Sequence, residues 1–466
     1  MFQRVTALSG IYPPLFSRYV EQEAGVVAFF NGKFWDEKCY RSRAFFLQDC
    51  SFPREIRELL VDINSKLPVQ PPAGWEEKLR DRRTLFVITG QQPGILAGPL
   101  LVLYKGLAAV KLARRLEALL QAPVQPLFWV ASEDHNVLPL LRSYAPLRGG
   151  GISRIRLPLS PDGLPAGMLN IEDEAMADLL EQVMRLNGGK EHSDAVMEWL
   201  QSTAHYGGNN LSGWFMQIMS HLCAAAGLIF FDPLQASARG YYIPPLLQTL
   251  EQSCHLHDRI AAAEEELKAC GFPLQVKRRG RETFIMITWG KKRYPLLHER
   301  EHYYTPGGEL SLTRGELLKL IMEQPSLFSP GVLLRPLFQD ILFPTLAYVA
   351  GPGELAYFAQ IKGLYSLFNL EMPLLFPRPG VTLLEPALQE KAEQYNLKLD
   401  MLPGMLQDEQ GPYILRENLW PRSRPQERVF NIATYLLTYG FTFWEEFCRN
   451  FPVCPGHYLY CWKGGV

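Results

Sequence analysis

The strongest constraint on this chain is an α/β pattern that opens, stops, and resumes much later. Thr84-Leu-Phe-Val-Ile-Thr89 is an apolar run of strand length, closed by Gly90-Gln-Gln-Pro-Gly94. Between Pro99 and Leu120 the residues Leu103, Leu107, Val110 and Leu116 recur at helical spacing. Pro123 breaks that helix, and residues 124–131 form a second apolar run ending in Ser132-Glu-Asp-His-Asn136. Strand, glycine-rich turn, helix and strand open a parallel sheet. The pattern returns near the end. Residues 332–335 read as a strand, Gly351-Pro-Gly-Glu354 opens a helix to about Phe368, and residues 373–377 read as a strand ending at Arg378.

The stretch between is different. It holds helices near 175–186, 210–226 and 242–270, a strand at 228–232, and strand-like segments at 284–288 and 293–297 around a Trp289-Gly-Lys-Lys292 turn. Thr313-Arg-Gly-Glu316 has capping-box spacing. The expected division is an N-terminal segment with the first half of the core at 1–140, an insertion at 141–330, the second half of the core at 331–384, and a C-terminal helical region at 385–466. Helical pieces are expected there at 388–402, 426–439 and 441–450, with a strand at 458–462.

Composition narrows the function. Lys and Arg total 47 against 48 Asp and Glu, with no basic stripe, so a nucleic-acid track is not expected. No run of about 18 apolar residues suggests a membrane span. The first ten residues lack the pattern of a secretory signal, and the eight cysteines are scattered without CxxC pairs. Reduced thiols and a cytoplasmic location are the expectation.

Three constellations can carry chemistry. Thr89-Gly-Gln-Gln-Pro-Gly94 with Gly98-Pro99 ends the first strand before a helix, where backbone N–H groups and the helix dipole favour an anion. The alternative is a tight turn that needs glycine only for its geometry. Glu133-Asp-His-Asn136 ends the second strand and can hold an amino group or move protons, or it can cap a helix with a solvated imidazole. If close, its carboxylates raise the pKa of His135. Arg335 with Gln339-Asp340, and Gly351-Pro-Gly-Glu354 with Tyr357, offer a carboxylate or phosphate clamp, or else a core salt bridge and a well-capped helix. His298-Glu-Arg-Glu-His302 matches the zinc-protease spacing but lies among strand and turn signals, and Cys254-His-Leu-His257 lies on a helix where positions two apart do not face each other. No metal is assigned to either. The basic run Lys277-Arg-Arg-Gly-Arg281 reads as a solvated turn.

Taken together, these segments resemble one family. The motifs Thr89–Gly94, Trp129-Val-Ala-Ser-Glu-Asp-His135, Leu334-Arg-Pro-Leu-Phe-Gln-Asp340, Phe343-Pro-Thr-Leu-Ala-Tyr348, Gly351-Pro-Gly-Glu-Leu-Ala-Tyr357 and Arg424-Pro-Gln-Glu-Arg428 are similar to those of the cysteine-adding enzymes of bacillithiol biosynthesis (BshC). The resemblance implies a Rossmann-like parallel sheet related to class I aminoacyl-tRNA synthetases, split by an α+β insertion, with a C-terminal coiled-coil region. That region is shortened here, to one helix between Glu385 and Pro403. The synthetase His-Ile-Gly-His and Lys-Met-Ser-Lys-Ser signatures are absent.

The implied reaction is a ligation of cysteine to glucosaminyl-malate, giving bacillithiol, with ATP or another nucleotide as the expected activator. A homodimer is compatible with it. The implied catalytic residues are Glu133, Asp134, His135 and Arg335. The implied binding residues are Thr89, Gly90, Gln91, Gln92, Gly94, Gly98, Asn136, Gln339, Asp340, Gly351, Gly353, Glu354 and Tyr357. The loops at Gly90, Glu133 and Gly351 are expected to converge on one cleft. Competing readings are a related amide-forming or nucleotidyl-transfer enzyme with another amine acceptor, and a non-catalytic binding subunit of a thiol pathway.

Overall fold

The computed structural model describes residues 2–4, 11–50, 52–146, 152–187, 191–206, 210–278, 280–384, 390, 394 and 432–461. The elements that position the site are β1 (Leu85–Gln91), α1 (Leu100–Leu120), β2 (Val124–Val130), β3 (Ile229–Phe231), β4 (Glu282–Trp289), β5 (Lys292–Glu299), α2 (Arg335–Leu342), β6 (Thr345–Ala350), α3 (Pro352–Ile361), β7 (Leu374–Pro377), β8 (Gly380–Leu384) and β9 (His457–Cys461).

A five-stranded parallel sheet in the order β7-β6-β1-β2-β3 forms the core. Its strands are near-continuous apolar runs because helices cover both faces, so neither face alternates with polar residues. Phe86, Val87, Ile88, Leu127, Phe128 and Trp129 are fully buried. This is the Rossmann-like α/β architecture expected from the sequence. A second, antiparallel sheet includes the β4–β5 hairpin and the strand Phe328–Pro330. No described helix is long and apolar enough to cross a membrane.

Two placements differ from the sequence reading. The strand at 229–231, read as part of the insertion, is the edge strand of the core sheet, pairing Leu127, Phe128 and Trp129 with Ile229, Phe230 and Phe231. Residues 332–335 are not a strand. Arg335 opens α2, because Pro336 in the first turn suits a helix start and Leu334, Leu337, Phe338 and Leu342 bury one helical face. At the C-terminal end the expected strand is found: after the helix Ile432–Asn450, β9 pairs in parallel with β8 and so returns to the end of the core. Apart from residues 390 and 394, the helix expected at 388–402 lies outside the described residues, as does the motif at 424–428.

Candidate active site

A cavity of about 450 Å³ opens at the carboxyl ends of the core strands, where open α/β sheets place their ligands. Gly90, Gln91 and Gln92 at the end of β1 form one side, Asp134 after β2 another, and Gly351, Gly353 and Glu354 after β6 a third.

Its floor is ionic. Lys105 of α1 is 2% exposed, and its Nζ reaches Glu354 Oε2 at 2.6 Å, the Gly90 carbonyl at 2.7 Å and Gln91 Oε1 at 2.8 Å. Burial pulls the Lys105 ammonium below the ordinary lysine range, and Glu354 restores part of it. Glu354 also accepts from the Gly351 N–H at 2.7 Å and from the Tyr348 hydroxyl at 2.7 Å. Burial and then Glu354 push the Tyr348 phenol well up, so it stays protonated and donates. Beside them, Arg335 Nη1 donates to Gln339 Oε1 at 2.9 Å and Nη2 to the Tyr357 hydroxyl at 3.1 Å. The Arg335 guanidinium lies 5.8 Å from the Trp129 ring centre and 5.4 Å from that of Tyr348, which fixes its plane.

The acidic stretch divides in two. Asp134 faces the cavity, accepting from Gln92 Nε2 at 2.5 Å and from the Asn136 N–H at 2.9 Å. Glu133 points the other way, into the interior, where its carboxylate meets Arg239 at 2.7 Å, with Arg239 2% exposed. Arg239 also donates to the Phe328 carbonyl at 2.6 Å, so this pair ties the end of β2 to the antiparallel sheet. Ser132 donates to Asp232, just after β3. His135 and Asn136 are exposed and do not line the cavity. The expected rise in the His135 pKa is not found. Partial burial of the ring and the nearby Arg293 lower it, and Asp134 opposes them.

Of the residues expected from sequence, Gly90, Gln91, Gln92, Asp134, Arg335, Gly351, Gly353, Glu354 and Tyr357 line one cavity. The third converging loop arrives through Asp134 rather than Glu133. Thr89 is spent between strands, its hydroxyl on the Val349 carbonyl at 3.0 Å. Gly94 and Gly98 serve the turn. A Cβ on Gly94 would lie 3.1 Å from the Gly98 Cα, and Gly98 has φ +69°. Gln339 and Asp340 lie beneath the site: Gln339 positions Arg335 and donates to Asp340 at 3.0 Å, whose carboxyl burial pushes up to about 6.

Lys105, Trp129, Tyr348 and Arg378 line the cavity but were not singled out from sequence. The signal for Lys105 was available: a cation inside the apolar stretch from Val102 to Val110 of α1, where burial without a partner is costly. His298 and His302 lie on β5 and on the strand that follows it, a hairpin rather than a helix, and His298 stacks on Tyr303 at 4.3 Å. In the basic run, Arg278 pairs with Glu264 and Arg281 with Glu299, each at 2.7 Å.

A family model described as bacillithiol biosynthesis BshC, N-terminal Rossmann-like domain, matches residues 4–379. The chain is similar to proteins named "Putative cysteine ligase BshC". The relative from Heliobacterium modesticaldum is 32% identical, covering 85% of this chain and 75% of that protein. Those from Desulforamulus reducens and Salinibacter ruber are each 30% identical, covering 79% and 86% of this chain and 69% and 74% of theirs.

Proposed function

The chain belongs to the BshC family of bacillithiol biosynthesis, and from that premise we propose that its cleft joins L-cysteine, through the carboxylate, to the amino group of glucosaminyl-malate, a ligation that forms a carbon–nitrogen bond. One observation carries the reading. The cavity is lined by three cations, Lys105, Arg335 and Arg378, and by two carboxylates, Glu354 paired with Lys105 and Asp134 on another loop. Carboxylate substrates and a developing acyl oxyanion need the first set, and an ammonium or the proton of an attacking amine needs the second.

Roles follow from what each group has left to offer. Lys105 is held by three acceptors and acts as a fixed charge beneath the site. Arg335 lies over the Trp129 and Tyr348 rings and stabilises charge at the acyl centre. Asp134 orients cysteine's ammonium or takes a proton from the attacking amine. Glu133, engaged with Arg239, is a positioning residue for the Asp134 loop. A carboxylate and an amine do not condense readily in water, so ATP or another nucleotide is the expected activator, its phosphates met by the Gly90–Gln92 side of the cleft and by Arg335.

The test is reconstitution. The full chain is incubated with L-cysteine, glucosaminyl-malate and each common nucleoside triphosphate, and the thiols are read by mass spectrometry. Bacillithiol that depends on the chain and on one nucleotide supports the reading. Absence of product under every condition contradicts it.

A further inference from the structure

Arg378 follows the last core strand and is 9% exposed. Its backbone N–H bonds the Ala350 carbonyl at 2.9 Å and its Nη1 bonds the Pro379 carbonyl at 3.2 Å. The Tyr12 hydroxyl also lies against the guanidinium, but Nε is buried without a partner, and among the described residues no carboxylate pairs with Arg378. Buried charges are ordinarily paired, because desolvating one alone costs several kcal/mol.

The group behind it does not supply the missing charge. His457 of β9 is engaged on both ring nitrogens, by the Tyr12 hydroxyl at 2.9 Å and the Thr382 hydroxyl at 2.8 Å. Burial, then Arg378, push its pKa down to about 4, so it is neutral.

In front of Arg378 lies the start of α3. A Cβ placed on Gly351 would stand 3.3 Å from Glu354 Oε2, 3.6 Å from Arg378 Nε and 3.7 Å from Lys105 Cε, so glycine there keeps clear a space bordered by Arg378 and by the Lys105–Glu354 pair, whose carboxylate is already matched by the Lys105 ammonium at 2.6 Å. The first turn of α3 presents N–H groups with no intrahelical partner, at the positive end of the helix dipole.

We propose that Arg378 is a specificity-determining residue of the cleft, holding a carboxylate of the acceptor's malyl group against the start of α3. The inference rests on the ligase reading for the identity of the acceptor. The malyl group is favoured over cysteine because cysteine's carboxylate is the reacting centre and must lose its charge. A guanidinium fixed in the wall suits a carboxylate that stays charged throughout, whose binding energy then orients the amine.

The experiment compares the native full chain with Arg378→Gln and Arg378→Lys. In turnover assays, Arg378→Gln is expected to raise the KM for glucosaminyl-malate about 10- to 100-fold, the range of a charge-assisted hydrogen bond. The KM for cysteine should move less than about 3-fold, and Arg378→Lys should recover part of the loss. A glucosaminyl-lactate acceptor, lacking one carboxylate, should suffer a similar KM penalty with the native chain and little further penalty with Arg378→Gln. Calorimetric titration with L-malate alone gives a readout independent of turnover: binding by the native chain and its loss in Arg378→Gln.

A shift in the cysteine KM instead, or native KM values equal for the malyl and lactyl acceptors, overturns the proposal. So does L-malate binding that is absent from the native chain or unchanged by Arg378→Gln. If Arg378→Gln does not fold, the lactyl comparison on the native chain decides. If the native chain makes no thiol product, the ligase reading fails, while the L-malate titrations still decide Arg378.

Discussion

Replacing Lys105 by methionine tests the ionic floor most sharply. Methionine keeps the unbranched apolar stem inside α1 and removes only the ammonium, so the packing change is small. Three acceptors lose their donor: Glu354 at 2.6 Å, the Gly90 carbonyl at 2.7 Å and Gln91 at 2.8 Å. Glu354 then keeps only the Gly351 N–H and the Tyr348 hydroxyl for a largely buried charge. Removing one partner of a buried pair costs about 3–5 kcal/mol, whereas replacing both can be close to neutral. Lys105→Met should therefore lower the urea midpoint by that equivalent at an unchanged slope, followed by tryptophan fluorescence. Lys105→Met combined with Glu354→Gln should cost about 1–3 kcal/mol less than the sum of the single variants. A single-variant cost below about 1 kcal/mol, or strict additivity, would refute the coupling of α1 to the start of α3.

Other outcomes follow from the same geometry. Asp134→Asn keeps an acceptor for the Asn136 N–H, so turnover should fall about 100-fold or more while stability stays within ~0.5 kcal/mol; a fully active variant would remove Asp134 from the chemistry. Glu133→Ala strands the buried Arg239 guanidinium and should cost about 3–5 kcal/mol in urea denaturation, with a smaller loss of turnover per folded molecule than Asp134→Asn. The reverse ranking in turnover would make Glu133 the proton acceptor. His457 titrates near 4 when folded, below the ~6.5 of an unfolded chain, so its contribution is complete above that value and is lost as pH falls toward 4. The gap converts to roughly 3 kcal/mol, and the stability difference between the native chain and His457→Gln should shrink by that order between pH 7 and 4. A difference independent of pH would show that the buried imidazole is not held neutral.

The core strands were legible in sequence where burial on both faces leaves an unbroken apolar run, as at residues 84–89 and 124–131. Gly351-Pro-Gly-Glu354 was legible as a helix start because proline in the first turn and glutamate at the third position serve that end of a helix and little else. The direction of each acid after β2 was not. Which of Glu133 and Asp134 faces the cleft depends on Arg239, brought from a distant helix by tertiary packing. Arg335 was found as a site residue but placed on the wrong element, because three apolar residues before it fit a strand and a helix entry equally well. Arg378 was not assigned to the site for a different reason. In sequence it is only the end of a strand, and its burial comes from tertiary packing, with β9 returning from the far end of the chain to pair with β8 beside it.

One cleft, lined by Asp134, Arg335 and Arg378, is proposed to bring the two substrates together. A crystal structure of the full chain soaked with L-cysteine and glucosaminyl-malate tests it most directly. Both molecules are expected in this cleft, with an amino group within hydrogen-bond reach of Asp134 and a malyl carboxylate on Arg378. Ordered substrates elsewhere on the molecule, with this cleft holding only solvent, would contradict it.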